Sequence, residues 1–338
     1  MKTSEYVSLG HPDKIADYIS EFILDKFIEK DPDTKYAVEV QIKDNFVTLG
    51  GEIKSNHSFD KCTIEKFVKD AVNDIGYTKE YQTKWGKENT ICGDDLIIEQ
   101  HIGIQSSEIN QGLSGWGDQG IMFGLAVNES KTNFMPYDHY LAKTLNNKLF
   151  NSGLGGLDIK TQVVIENDNR LSKVIVAIPL LNGNIKTIED FVRNEIEGDY
   201  TLIVNGTGNY KSHSSIADCG TTGRKLAVDF YGGNCIIGGG SPWTKDGSKA
   251  DLTLNLYARE KALIYVKCNP EYSYVTSSVA CCIGKKEIDT EVKSCDGKIL
   301  FRNTESITPT DLISRYKLNK PIFRNLCKNG LFTLFDKK

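Results

Sequence analysis

Tyr36-Ala-Val-Glu-Val-Gln-Ile-Lys43, Asp44-Asn45, Phe46-Val-Thr-Leu-Gly-Gly-Glu-Ile53 reads as a β-hairpin. Val38, Val40 and Ile42 alternate with Ala37, Glu39 and Gln41, so a pleated strand carries one apolar and one polar face. Asp44-Asn45 is turn chemistry. From about Asp60 to Ile75 the period changes: Ile64, Phe67, Val68, Ala71, Val72 and Ile75 share one helical stripe. Gly76 stands where a left-handed C-terminal cap is expected.

The same order recurs twice. Ile159–Glu166, a turn at Asn167-Asp168-Asn169 and Leu171–Ile178 make a second hairpin. Its helix opens at Thr187 with Asp190 three residues on, in the manner of a capping box. The third runs through Tyr272–Ile283, a less regular stretch, and Lys298–Arg302, with a helix opening at Thr308-Pro309. One face of each sheet must be buried. The expectation is an α+β protein of three similar units, packed sheet-inward around a shared core. Their approximate bounds are 1–101, 112–210 and 212–338, with exchange of strands between units allowed.

The 338 residues suit two domains or three small ones, and 39% hydrophobic with 25% charged residues excludes long disorder, collagen and a coiled-coil rod. A net charge of −4 provides no global field for nucleic acid, so a bound anion needs a local cluster of cations. No apolar run suffices to span a bilayer, and Met1–Glu5 leads into structure without a signal-peptide core. The nine cysteines are odd in number and show no C-x-x-C spacing; reduced thiols in a cytoplasmic protein are expected.

Chemistry concentrates near glycines. Gly10-His11-Pro12-Asp13-Lys14 precedes an amphipathic helix whose free N–H groups and dipole favour phosphate. Asp218-Cys-Gly-Thr-Thr-Gly-Arg224-Lys225 sets two cations after a glycine turn without being a Walker A loop. Gly238-Gly-Gly-Ser241 leads to Lys245, Lys249 and Asp251; on a helix the two lysines would share a face and repel unless an anion lay between them. Gly115-Trp116-Gly117-Asp118-Gln119-Gly120 is too rich in glycine for a regular element. No zinc-ligand spacing, H-E-x-x-H, nucleophile elbow or dinucleotide fingerprint is present.

These strings resemble the S-adenosylmethionine synthetase (methionine adenosyltransferase) family. The matching segments are 10–17 (GHPDKIAD), 50–53 (GGEI), 109–112 (INQG), 117–124 (GDQGIMFG), 218–225 (DCGTTGRK), 231–233 (YGG) and 238–251, in the family's order. The resemblance implies three α+β units around a pseudo-threefold axis, and a homodimer or dimer of dimers with sites between subunits. It implies ATP and L-methionine as substrates: sulfur attacks ribose C5′, and the expelled triphosphate is hydrolysed to diphosphate and phosphate. It implies two Mg²⁺ per site and K⁺, and neither nucleic acid nor membrane as partner.

By motif position the resemblance makes His11, Lys160, Arg224 and Lys245 catalytic. Lys14, Glu52, Gln111, Asp118, Asp158, Tyr210, Asp218, Lys225, Ser241 and Lys249 would bind substrates. Asp13 and Asp251 would take Mg²⁺, and Glu39 K⁺. The chain departs from the family in a short segment between Gln111 and Gly117, in Asn209, in Ser241-Pro242-Trp243 and in Leu252-Thr253-Leu254. The alternative is a non-catalytic regulatory or binding paralogue of the same fold; a different ATP-dependent phosphotransferase would leave Glu52, Gln111 and Asp118 unused.

Overall fold

The computed structural model describes residues 1–104 and 115–336. Its strands and helices begin β1 (Lys2–Val7), α1 (Pro12–Ile28), β2 (Lys35–Lys43), β3 (Phe46–Lys54), α2 (Lys61–Ile75), α3 (Lys79–Trp85) and β4 (Ile97–Ile104). There follow β5 (Gly120–Val127), α4 (Tyr137–Ser152), β6 (Lys160–Ile165), β7 (Leu171–Ala177), α5 (Ile185–Glu195) and β8 (Thr201–Val204). The chain continues through β9 (Gly220–Thr221), α6 (Leu226–Asp229), α7 (Ala250–Cys268), β10 (Tyr274–Cys281), β11 (Glu287–Ser294), β12 (Ile299–Ser306), α8 (Pro309–Tyr316) and α9 (Phe323–Asn329).

Among the described residues three four-stranded sheets result, with orders β4-β3-β2-β9, β1-β6-β7-β8 and β12-β11-β10-β5. Each hairpin accepts on its free edge an antiparallel strand from elsewhere in the chain: β9 on β2, β1 on β6 and β5 on β10. In each case that strand precedes a long helix, and the helix lies across another hairpin or its added strand. Thus α1 packs on β2 and β9, α4 on β1 and β6, and α7 on β5 and β10. The cyclic exchange ties the repeats together and covers edges that would otherwise be exposed.

The expected sheet-inward packing is corrected. Helices hold the middle: α1 buries every residue except Lys26, and the main hydrophobic cluster runs from α1 through β2, β3 and α2 to α7, α8 and α9. In β2, Tyr36, Val38, Val40 and Ile42 face this cluster, while Glu39, Gln41 and Lys43 stay exposed. A helix buried around its circumference still carries polar residues, so its apolar stripe alone did not reveal its central position.

Local expectations meet the structure unevenly. Asp60 caps α2 through the Thr63 N–H, and Gly76 ends it in the left-handed region at φ 119°. Thr308 and Asp311 form a reciprocal capping box on α8. In the second unit, Asn184 caps the helix and moves its start to Ile185. The less regular stretch of the third unit is a full strand, β11, with Ile288, Thr290, Val292 and Ser294 buried. Two of those four inward residues are hydroxylic, which weakened the apolar alternation.

All nine cysteines are free. Among the described residues, no helix is long and apolar enough to cross a membrane.

Candidate functional site

The site is assembled around the first turn of α1. Gly10 is required by close approach: a Cβ there would lie 2.3 Å from the Leu157 carbonyl oxygen. His11 caps the helix, its Nδ1 accepting the Asp13 N–H at 3.1 Å, which leaves the ring proton on Nε2. Burial first, then Lys225 and Lys160, push the imidazole down to about 3. His11 is therefore a neutral hydrogen-bond donor at physiological pH.

The 220–225 loop presses on this turn. A Cβ on Gly220 would come within 2.1 Å of the Pro12 carbonyl oxygen. The Thr221 N–H donates to Asp13 Oδ1 at 2.9 Å, Lys225 Nζ lies 2.5 Å from Asp13 Oδ2, and Arg224 Nε lies 3.6 Å from Oδ1. Asp13 thus holds two cations at the helix start. Despite the opposing burial cost, hydrogen bonds from Lys225 and Thr221 bring its carboxyl below the usual range. Lys160 opens β6 and is exposed.

Asp158, two residues earlier, accepts the Ser214 N–H through Oδ2 at 3.3 Å, while its buried Oδ1 has no hydrogen-bond partner among the described residues. Burial pushes its carboxyl up to about 7 against the pull of Lys160. Tyr210 is half-buried nearby, its phenol raised by burial and by Asp158. Asp218 is exposed and accepts the Cys219 N–H at 2.8 Å.

The 238–251 segment forms a second group. Lys245 Nζ lies 2.5 Å from Asp251 Oδ2. A Cβ on Gly240 would sit 2.0 Å from Asp251 Oδ1, so glycine makes that cradle possible. Lys245 and Glu52 flank the same residue, Ala37, in the sheet. Asp118 is exposed; its carbonyl accepts Cys281 S–H at 3.4 Å, and burial, Asp118 and Asp251 push that thiol up to about 11. Ser241 Oγ accepts the Trp243 N–H at 3.2 Å and lies against Gly223. Lys249 is the N-cap residue of α7.

Glu39 connects the two groups. Its carboxylate accepts the Thr222 hydroxyl on one side and the Thr244 hydroxyl, at 3.1 Å, on the other. Neither threonine stood out in the sequence, where hydroxyls within glycine-rich loops look like ordinary turn residues.

Two expectations are corrected, and one lies outside the described residues. Lys14 does not face the site: Nζ is 3.0 Å from Asp17, 2.7 Å from Asp229 and 4.7 Å from the Trp243 ring centroid, with the side chain 5% exposed. Two buried carboxylates capture its charge. Lys245 and Lys249 do not share a helical face, because α7 begins only at Ala250. Gln111 is outside the described residues.

Among the described residues, no group of three or more His, Cys, Asp or Glu side chains gathers to hold a metal. The oxygen donors fit Mg²⁺ differently. Asp13 and Asp251 are carboxylates beside the cationic loops, and Mg²⁺ commonly joins one or two carboxylates to substrate phosphates. Glu39 with two threonine hydroxyls is an all-oxygen set suited to a hard monovalent cation.

The wall behind Asp158 contains a pH-sensitive histidine. His213 donates from Nδ1 to the Lys211 carbonyl at 2.7 Å and accepts the Tyr81 hydroxyl at Nε2, also at 2.7 Å. That phenol oxygen accepts the Leu157 N–H at 3.0 Å. Burial lowers His213 to about 4, and burial with Lys143 does the same to His139. Both folded-state values lie below the unfolded value near 6.5, so the unfolded chain binds more protons as pH falls. Stability is full above about pH 6.5 and declines toward pH 4, each histidine contributing on the order of 3 kcal/mol at 1.36 kcal/mol per unit. Urea unfolding from pH 8 to 4 should show this decline, and His139→Gln should flatten it.

Comparison with known proteins gives one consistent family. Models of the S-adenosylmethionine synthetase N-terminal, central and C-terminal domains match residues 1–100, 113–210 and 213–337. The chain is 34% identical to the S-adenosylmethionine synthase of Borrelia garinii subsp. bavariensis, covering 97% of this chain and 91% of the relative. It is 33% identical to that of Mesoplasma florum, covering 98% and 94%. A solved S-adenosylmethionine synthetase from Campylobacter jejuni, described as unusual, superposes with a TM-score of 0.86 at 30% identity, covering 98% of this chain and 94% of that one.

Proposed function

This chain belongs to the S-adenosylmethionine synthetase family, and from that premise we propose that His11, Lys160, Arg224 and Lys245 are its catalytic residues. The reaction joins ATP to methionine and releases phosphate and diphosphate. Methionine sulfur displaces the whole triphosphate from ribose C5′. The leaving group collects negative charge, and a sulfonium forms beside it, so fixed cations and carboxylates must be aimed in advance.

The observation that carries the assignment is the convergence of Asp13, Arg224 and Lys225 on the capped turn that buries His11. In this reading Nε2–H of His11 donates to the bridging oxygen as the triphosphate departs. Lys160, Arg224, Lys225 and Lys245 hold phosphate oxygens. Asp158, whose buried Oδ1 has no partner among the described residues, and Tyr210 bind the nucleoside. Glu52, Gln111, Asp118, Asp218, Ser241 and Lys249 orient the substrates, Asp118 near the methionine ammonium. In-line attack at a primary carbon demands this positioning.

Asp13 and Asp251 would hold Mg²⁺, and Glu39 K⁺. Bound there, these ions supply charge neutralisation for the polyphosphate. We assign the protein to a homodimer with sites at the subunit interface. Phe46, Ile97 and Ile104 on β3 and β4, and Ile121 on β5, are exposed large apolar residues of the kind that a second copy would cover. The free cysteines suit a reducing cytoplasm.

Purified protein with ATP, methionine, Mg²⁺ and K⁺ should form S-adenosylmethionine, diphosphate and phosphate. Omitting K⁺ should slow the rate, and an unchanged rate would remove Glu39 from that role. Absence of product would favour the non-catalytic paralogue.

A further inference from the structure

Beneath the two loops lies a charged group to which the proposed chemistry gives no direct part. Lys14, Asp17 and Glu21 follow one another on α1 at spacings of three and four, forming a polar stripe on an otherwise apolar buried helix. Lys14 Nζ joins Asp17 to Asp229. Asp17 Oδ1 accepts the Gly223 N–H at 2.9 Å, which fixes the turn just before Arg224 and Lys225. Asp229 Oδ2 accepts the Trp243 indole N–H at 2.8 Å, two residues before Lys245. Glu21 Oε1 accepts the Thr244 N–H at 2.6 Å.

Thr244 is a β-branched residue at φ 72°, in the left-handed region. Such a backbone is strained for a β-branched residue and persists only where its surroundings over-determine it. Glu21 holds its N–H, Glu39 its hydroxyl, and Val38 N–H donates to its carbonyl at 3.2 Å. The segment leading to Lys245 is thus held against its intrinsic preference. Both cationic loops are tied to the same face of one rigid helix.

We propose that the buried Asp17–Lys14–Asp229 group and Trp243 form a clamp that sets the spacing between the Arg224–Lys225 loop and the Lys245 loop, making Trp243 a positioning residue for triphosphate departure. This rests on the functional reading above. The clamp touches no substrate; it acts through the placement of cations that do. A displacement of about 1 Å among such groups can cost up to about 10²-fold in rate. Because the departing triphosphate gathers charge that ground-state ATP lacks, the loss falls on kcat more than on KM.

The test is Trp243→Phe, which keeps an aromatic ring over Lys14 and removes the N–H to Asp229. The expected result is a fall in kcat of about 10-fold, with the KM values for ATP and methionine changed by less than about two-fold. Hydrolysis of added inorganic triphosphate should fall in parallel, because it uses the same cations. Asp229→Asn, measured alone, should show the same split. The double variant should be no worse than Asp229→Asn alone, since Trp243→Phe then removes a contact that the asparagine has already broken. A Trp243→Phe protein with wild-type kcat and only a lower melting temperature overturns the clamp, as do fully additive losses. Wild-type protein that forms no S-adenosylmethionine and does not bind triphosphate in calorimetry overturns the functional reading, and the clamp with it. Active wild type with unaltered variants overturns the clamp alone.

Discussion

His11→Ala should lower the rate of S-adenosylmethionine formation by about 10²–10³-fold, the loss typical of removing one preorganised donor from a developing oxyanion. The ring is 2% exposed, and its Nδ1 is occupied by the Asp13 N–H, so the only donor it can offer is Nε2. Because burial, Lys225 and Lys160 keep it neutral, it contributes a directed hydrogen bond rather than a full charge. The effect should therefore appear in kcat, with ATP binding largely retained by the lysines and arginine around it. His11→Asn keeps an amide donor and should recover part of the loss. Rapid-quench turnover at saturating ATP and methionine makes the measurement. An unchanged rate in His11→Ala would remove His11 from the reaction.

Lys14→Met should destabilise the fold by about 3–5 kcal/mol, because it strands Asp17 and Asp229 together in the interior without their shared cation. Burial opposes the ammonium charge, but Asp17 and Asp229 outweigh it and hold Lys14 well above the usual lysine range. The methionine stem can fill much of the same space, so lost packing is the smaller part. Replacing all three, with Lys14→Met, Asp17→Asn and Asp229→Asn, should restore most of the stability, since no buried charge then lacks a partner. Urea midpoints of the single and triple variants measure this. A lysine that served ATP directly would give the opposite pattern, with turnover lost in the single variant at unchanged stability.

The three-unit α+β plan was legible because hairpin alternation and helix caps are local. The helix expected from about Asp60 to Ile75, its Gly76 cap and the helix opening at Thr308-Pro309 each depend on residues a few positions apart, and the structure places them there. The hydroxyl-rich inward face of β11 hid one strand, and Asn184 displaced a helix start by competing as a cap. In the site, the cationic loops were legible as glycine-rich strings. Their relation to one another was not: Glu39 joins them through Thr222 and Thr244, residues 183 and 205 positions away in the chain.

Lys14 marks the boundary most clearly. Its motif set it beside His11 and Asp13, and sequence alone determined that a charged lysine begins α1 there. On a helix, however, successive residues point about 100° apart, so Asp13 meets the 220–225 loop while Lys14 turns inward to Asp17 and Asp229. Local residue order thus settled most of the elements and the family. Which charges face substrate and which hold the scaffold was decided only in the tertiary structure, because a charge's role depends on the partners and desolvation it meets after distant segments pack.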